Sequence, residues 1–383
     1  MNFLLSIRAD ASVLRVAPST HATAPSQGEA SRGGSMMSRL TWLSGAVWWA
    51  VWLTLTGFVS NPRPAVSAEV APGFRVDVVA TGVPRPIQLA LDPRGRLVVL
   101  SSGAFGDAAG EIYRLDLRAP LPIDASRVPR VVIPFADQIR KAVLGSLAVD
   151  PRSGSVFLGE ENGNRIYRLG DEPRLQPVAV GLNHLLGGTA LTLDRRGHLV
   201  FVDYSGSEAH LRSETPLPPS LSWLVDEGYR GPLVFRIDPT EDRPLPRRAD
   251  LLIPIFPRKE ASRPDREPLW RLIGVTATPG DDLVFLSSVG EVLRLGADGE
   301  LRLVVRLPAG HYHRTNLTTG PDGSIYVCAG YQIRQIFRIS PAGRVGVVAS
   351  ELGDPGGIVL DAKGALYIPE AAVHRIIRIV PDP

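Results

Sequence analysis

The chain has almost no cysteine, almost no lysine and, past its first tenth, no methionine. Cys328 is the only cysteine among 383 residues, so no internal disulfide can staple the fold. Its place inside IYVCAG predicts a buried, inert thiol. Three of the 42 cationic residues are lysines (Lys141, Lys259 and Lys363), and the rest are arginines. The net charge is only +3, and no basic stripe gathers the arginines, so the electrostatic footprint of a nucleic-acid binder is missing. Gly103, Gly106 and Gly110 do not have the spacing of a phosphate-cradling loop. No Ser-His-Asp nucleophile motif appears. No ten-residue stretch after residue 70 carries a 3.6-residue apolar period, which excludes a helical domain.

What the chain does have is one phrase, written six times. The copies read LALDPRGRLVVL, LAVDPRSGSVFL, LTLDRRGHLVFV, VTATPGDDLVFL, LTTGPDGSIYVC and IVLDAKGALYIP. Each is an apolar run, a turn carrying Asp, Gly or Pro, and a second apolar run. A third run follows most copies (EIYRLDL, NRIYRLG, LVFRIDP, EVLRLGA, RQIFRIS, HRIIRIV), and a fourth follows in most (RVVIPF, LQPVAVG, LLIPIF, LRLVVRL, GRVGVVA). Runs of this length, rich in Val, Leu, Ile and Tyr, read as strands, and the turns between them are tight. Four antiparallel strands per unit and six units predict an all-β, six-bladed β-propeller. The sixth unit stops after its third strand, while a spare strand, Phe74–Ala80, precedes the first unit. Placing that strand at the outer edge of the last blade closes the ring and removes two open sheet edges.

The segments before residue 69 stand apart from the repeats. Residues 1–35 are rich in Ser and Ala without periodicity, consistent with disorder or a start codon placed too early, since Met36 and Met37 follow. Residues 36–68 hold a positive Arg39, an uncharged run over 40–60 and the small-residue ending Ala65-Val66-Ser67-Ala68. That order is an export signal cleaved near Ala68, and the expectation is a periplasmic or extracellular protein. The alternative is an uncleaved anchor, because the 40–60 run is long enough to span a bilayer. A single propeller over 69–383 then carries two insertions, 205–231 and 257–269, both in the third unit. Trp223 and Trp270 fall in and beside them and are candidate lid contacts. Loops this long are functional or disordered.

Strand direction sorts the polar residues. The start of each first strand and the end of each second strand share one rim, and the Asp/Gly turns lie on the other face. On the first rim fall Gln88, Asn183, His184, His311, His313, Arg314 and Asn316 before first strands, and Glu160, Glu161, Asn162, Asp203, Tyr204 and Glu370 after second strands. His198 is left on the opposite face. The densest cluster is Gly310-His311-Tyr312-His313-Arg314-Thr315-Asn316. A neutral His311 there can accept a proton from a substrate hydroxyl while Arg314 or a cofactor receives negative charge. Glu160, Asp203 and Glu370, joined by Asn316, are candidate oxygen ligands for a hard cation such as Ca²⁺. The plainer alternative for all of these residues is a solvated rim that satisfies its own backbone.

The units SVFLGEENGNRIYRL and ALYIPEAAVHRIIRI resemble the NHL and SMP-30/gluconolactonase group of six-bladed propellers. The opening APGFRVDVVATGVPRPIQLALDPRGRLVVL and the segment GHYHRTNLTTGPDGSIYVCAG are similar to quinoprotein sugar dehydrogenases, including the sorbosone dehydrogenase-like branch. That resemblance implies pyrroloquinoline quinone and Ca²⁺ as cofactors, with His311 as the base for the sugar hydroxyl and Arg314 as the family's arginine. Gln88, His313 and Asn316 are then candidate cofactor contacts. Gly353-Asp354-Pro355-Gly356-Gly357 stands where the family has an Arg-Asn-Pro-x-Gly element, without the Arg-Asn pair. Three readings remain open at this level: a sugar or polyol oxidoreductase, a metal-dependent lactone or ester hydrolase, and a non-catalytic propeller that holds a protein or glycan partner on its rim.

Overall fold

The computed structural model describes residues 68–102, 109–134, 144–160, 165–170, 174–180, 182, 191–203, 232–241, 251–253 and 272–382. The insertions over 205–231 and 257–269, with Trp223 and Trp270, the leader with its 40–60 run, and Glu161, Asn162, Asn183, His184 and Tyr204 all lie outside the described residues. No helix among the described residues is long and apolar enough to cross a membrane.

Six antiparallel sheets form, each built in chain order from the inside outward. Blade one runs Pro86–Leu91, Arg96–Ser101, Gly110–Asp116, Arg130–Ile133; blade two, Leu144–Val149, Val156–Glu160, Ile166–Leu169, Leu175–Ala179. Blade three runs Leu191–Leu193, Leu199–Asp203, Leu233–Ile237, Leu251–Ile253; blade four, Leu272–Ala277, Leu283–Ser287, Glu291–Leu295, Leu301–Arg306. Blade five runs Asn316–Thr319, Ile325–Cys328, Ile336–Ile339, Val345–Ser350. Blade six takes Val359–Leu360, Leu366–Glu370 and Arg375–Pro381 from the end of the chain and Phe74–Thr81 from near its start, so the closing strand sits at the outer edge expected of it.

Two edges carry further short strands. Glu69–Val70 pairs antiparallel with the outer strand of blade five, and Ile123–Asp124 pairs parallel with the closing strand of blade six. The chain before the first blade therefore touches two blades. Ala68, at the start of the described residues, is already buried in the core between them.

The apolar runs are continuous because both faces of each blade are covered. Along Arg96–Ser101 the side chains alternate. Leu97 and Val99 pack toward blade six, and Val98 and Leu100 pack toward blade two. The same division repeats around the ring and gives six separate apolar clusters, each lying between two neighbouring blades. Each fully buried Leu, Ile or Val contributes about 1.5–3 kcal/mol, and none of it is available to an isolated repeat. Cys328 lies in the cluster between blades five and six with no exposed surface, and burial pushes its thiol up to about 12, which makes it the inert packing group expected.

On the face of the Asp/Gly turns, the repeated acid has a backbone job. Asp92 Oδ1 accepts the N–H groups of Arg94 and Arg96, both at 2.9 Å. Asp194 and Asp361 do the same two and four residues on. In blade four, Thr278 Oγ1 takes the acid's place by accepting from the Asp282 N–H at 3.1 Å. At Asp92 and Asp322 such bonds hold the carboxyl below its usual range. For Asp322, the Ser324 N–H and hydroxyl dominate; for Asp92, burial pulls the other way and is outweighed by Arg96 and Arg94.

A group whose folded pKa is depressed adds stability above its unfolded value and loses it as pH falls through the folded value. The ordinary carboxyl value is 3.8, so the urea midpoint is expected to hold steady down to about pH 5 and to fall between about pH 4 and about pH 2. Denaturant unfolding at stepped pH checks this. Asp322→Asn should lower the midpoint at neutral pH and flatten the acid limb, whereas an identical acid limb would remove the turn carboxyls as its cause.

Candidate functional site

Six of the seven non-glycine residues with positive φ among the described residues fall in one place. Arg314 (φ 50) and Arg334 (φ 58) are in blade five, Glu351 (φ 54) and Asp354 (φ 57) lead into blade six, His374 (φ 55) precedes its third strand, and Arg85 (φ 44) precedes blade one. Each such residue costs on the order of 1–3 kcal/mol, and strain of this kind gathers where the surrounding structure holds a site in shape. All six lie on the rim that carries the starts of first strands. Beta-bulges mark that end of the first strand in blades one, two and four, at Pro86/Gln88, Leu144/Ser146 and Leu272/Gly274. Bulges are enriched beside active sites because they re-aim a side chain.

The cluster begins with the loop Gly310–Asn316. His311 is exposed and its ring stacks on His313, with centroids 6.0 Å apart. His313 meets the edge of Tyr331 at 5.8 Å. Tyr331 belongs to a one-turn helix, Gly330–Ile333, that follows the second strand of blade five. Loop and helix are pressed together at Gly330, where φ is 78° and a Cβ would lie 2.0 Å from the His313 carbonyl oxygen. Behind the two histidines Tyr312 is fully buried, its hydroxyl donating to the Pro308 carbonyl at 2.7 Å, which anchors the loop from below.

The neighbouring wall comes from the segment Gly353–Gly357. Its Asp354 is half-buried; burial pushes the carboxyl upward while the charges of Arg314 and Arg85 pull it down. The segment is tied to blade six, because the Ala371 N–H donates to the Asp354 carbonyl at 3.2 Å and the Ala372 N–H to the Gly353 carbonyl at 3.0 Å. It also presses on blade one: a Cβ on Gly356 would lie 2.5 Å from the Ile87 carbonyl oxygen. Arg85 N–H donates to His374 Nδ1 at 2.9 Å, so the neutral His374 ring carries its proton on Nε2. His311, His313, Arg314, Tyr331, Asp354, Arg85 and His374 thus come from three consecutive blades around the closing seam.

The remaining expected residues have other work. Asn316 donates through Nδ2 to Gln88 Oε1 at 2.9 Å and accepts the Leu317 N–H on its own Oδ1 at 2.7 Å. Gln88 is 2% exposed and its Nε2 faces the Gly356 carbonyl at 3.4 Å. This amide pair joins blades five, six and one. Glu370 is fully buried; Oε1 accepts the Gly353 N–H at 2.7 Å and Oε2 accepts Arg375 Nε at 2.5 Å. Glu160 is 4% exposed and accepts the Tyr167 hydroxyl at 3.1 Å. Burial pushes its carboxyl above the usual range, against the Tyr167 bond and the Arg165 charge. Asp203 ends the second strand of blade three, and its side chain lies outside the described residues. No three His, Cys, Asp or Glu side chains among the described residues gather as a metal group. Of the expected cation ligands, then, Glu160 and Glu370 serve their own blades. His198 sits on the far face beside Asp194 at 3.2 Å, as strand direction requires.

Arg85, Asp354 and His374 were not legible as site residues. Arg85 and Asp354 are single polar residues in Gly/Pro-rich connections and His374 follows the short apolar run Ala371–Val373, and only ring closure brings the three together.

No protein-family profile and no curated protein matches the sequence. Solved structures do match in fold. The chain is similar to the pyranose dehydrogenase quinone domain of Coprinopsis cinerea in its holo form, with a TM-score of 0.53 and 14% identity over 83% of this chain and 98% of that one. It is also similar to a gluconolactonase from Xanthomonas campestris, with a TM-score of 0.52 and 16% identity over 82% and 91% of the two chains. A Trichoderma reesei protein of carbohydrate-active enzyme family AA12 aligns with a TM-score of 0.51 and 12% identity over 82% and 98%. At such identities the likeness is one of fold: a six-bladed propeller whose neighbours include a lactonase and a quinone-domain dehydrogenase.

The rim geometry depends on Gly330. Gly330→Ala adds a backbone clash to the left-handed conformation, while Gly364→Ala, at φ 84° with nothing within 4 Å of its Cβ, adds conformation alone. Thermal unfolding should show the second losing about 1–2 kcal/mol and the first clearly more. Equal losses would mean that the His loop does not rest on the Gly330 turn.

Proposed function

We infer that the rim formed by blades five, six and one acts on a hydroxyl-bearing small molecule of the sugar or polyol class, as an oxidoreductase outside the cytoplasm. The observation that carries this reading is the clustering of backbone strain around an exposed histidine, two arginines and one half-buried carboxyl. The resemblance of GHYHRTNLTTGPDGSIYVCAG to quinoprotein sugar dehydrogenases points the same way, and the quinone-domain neighbour supplies a fold precedent.

Pyrroloquinoline quinone is an acidic, planar group. Arg85 and Arg314, with His311 and His313 alongside, offer the cationic and ring-stacking surroundings that suit it. When bound, the group supplies a two-electron acceptor. A calcium cage needs six to eight oxygens, and Glu160 and Glu370 already serve Tyr167, Gly353 and Arg375, so no step is assigned to that ion.

The protein's own part is positional. His311 is exposed and its ring stacks on His313, so a ring nitrogen can reach a substrate hydroxyl and take its proton. Arg314 is close enough to Asp354 for mutual attraction, which holds its cationic head toward the charge that grows as the O–H bond breaks. Tyr331, 40% exposed, gives a sugar ring an apolar face to lie against.

Dye-linked oxidation of an aldose panel, run with the quinone and with or without Ca²⁺, tests the reading. Turnover of at least one aldose is expected. His311→Gln should lower kcat about 10²–10⁴-fold with KM little changed. Neither turnover nor quinone binding by fluorescence quenching would overturn it.

A further inference from the structure

The third strand of every blade carries an arginine at one register position, opposite the second strand: Arg114↔Val98, Arg168↔Phe157, Arg236↔Val200, Arg294↔Val284, Arg338↔Tyr326 and Arg378↔Tyr367. Five of them are spent within the fold. Arg168 donates to the Pro239 carbonyl. Arg236 pairs with Asp194 at 3.1 Å, Arg294 with Asp282 at 2.5 Å, Arg338 with Asp322 at 3.1 Å and Arg378 with Asp77 at 2.7 Å. Arg114 differs. The acid that would receive it is Asp92, whose Oδ1 takes two backbone N–H groups and whose Oδ2 takes Arg96 Nε and Nη2, each at 2.8 Å. Among the described residues the Arg114 guanidinium makes no hydrogen bond or ion pair. It is partly buried, and its proton affinity is lowered by burial first and by the charge of Arg96 second, with Asp92 opposing.

Arg114 lines a cleft of about 390 Å³ between the turns of blades one and two, on the face opposite the histidine rim. Arg94, Arg96 and Arg152 line it as well, and Asp92 is its one carboxylate. Arg152 is held in place through Nη2, which donates to the Arg195 carbonyl at 2.9 Å. Four guanidinium groups around one fully engaged carboxylate are a standing repulsion, whereas in four of the other blades the same arginine is neutralised by an acid. A feature that breaks the local rule without stabilising the fold is where a ligand is to be sought.

We propose that this cleft binds a small molecule bearing a phosphate or sulfate group, with Arg114 as its central contact. Guanidinium forks bind tetrahedral oxyanions by paired hydrogen bonds. The volume exceeds a bare anion and falls in the range of small-molecule sites, so the ligand is an ester of sugar size. Ser153 lines the opening as well, its hydroxyl donating to Asp150 at 2.6 Å and accepting the Ser155 N–H at 3.2 Å. The site is independent of the rim and of the activity assigned there.

Isothermal titration of the full chain with glucose 6-phosphate, glucose 6-sulfate and glucose tests this. Saturable binding of at least one ester, one per chain, is expected, with none for glucose; the tighter ester identifies the group. Affinity should fall as salt rises. Arg114→Gln should weaken it at least about tenfold, a change of 1.4 kcal/mol. Arg94→Gln removes a side chain that makes no bond to the described protein, and should weaken it severalfold without altering the melting temperature; His311→Gln should leave it unchanged. Absence of saturable heat with both esters, or parental affinity in both arginine variants, would overturn the proposal.

Discussion

The strand Phe74–Thr81 pairs with Arg375–Pro381 across almost the whole sequence, and the rest of the molecule hangs on that pairing. Without it, blade six has three strands, and the apolar cluster it shares with blade one loses Val79 and Ala80. The pairing also sets the site. Four residues beyond the closing strand comes Arg85, and one residue before its partner strand comes His374. The Gly82 N–H donates to the His374 carbonyl at 3.0 Å, and the Arg85 N–H to its ring. Ring closure and the candidate rim site therefore share one seam. The closing strand is itself backed by a parallel pair at Ile123–Asp124.

The two faces divide labour through hydrogen bonding. On the turn face, short-range bonds between an acid and the backbone two and four residues on repeat with little change. On the rim, bonds are long-range and unrepeated: Asn316 to Gln88, Gly353 to Glu370, Ala371 to Asp354. Repetition serves stability, and the departures from it collect where blades five, six and one meet.

That division explains what could be read in the sequence. The blades were legible because each needs two covered faces, which writes itself as unbroken apolar runs separated by Asp/Gly turns. The closing strand was legible because the last repeat is one strand short. The two-residue strands Glu69–Val70 and Ile123–Asp124 were not, since pairs so short carry no pattern. His311, His313, Arg314 and Asn316 could be grouped because they are contiguous. Arg85, Asp354 and His374 could not, because their meeting depends on positive φ angles at residues whose type does not announce them. Glu160 and Glu370 looked like cation ligands from their place at strand ends; their partners Tyr167 and Arg375 are ordinary third-strand residues whose reach only packing reveals.

The central claim is that chemistry sits on the seam of blades five, six and one. Crystals grown with pyrroloquinoline quinone and an oxidisable aldose test it most directly, through the difference density of the bound molecules. The account predicts density on the rim within contact of His311, Arg314 and Arg85, with a substrate hydroxyl at hydrogen-bond distance from the His311 ring. Well-occupied ligand density elsewhere, with this rim empty, would contradict it.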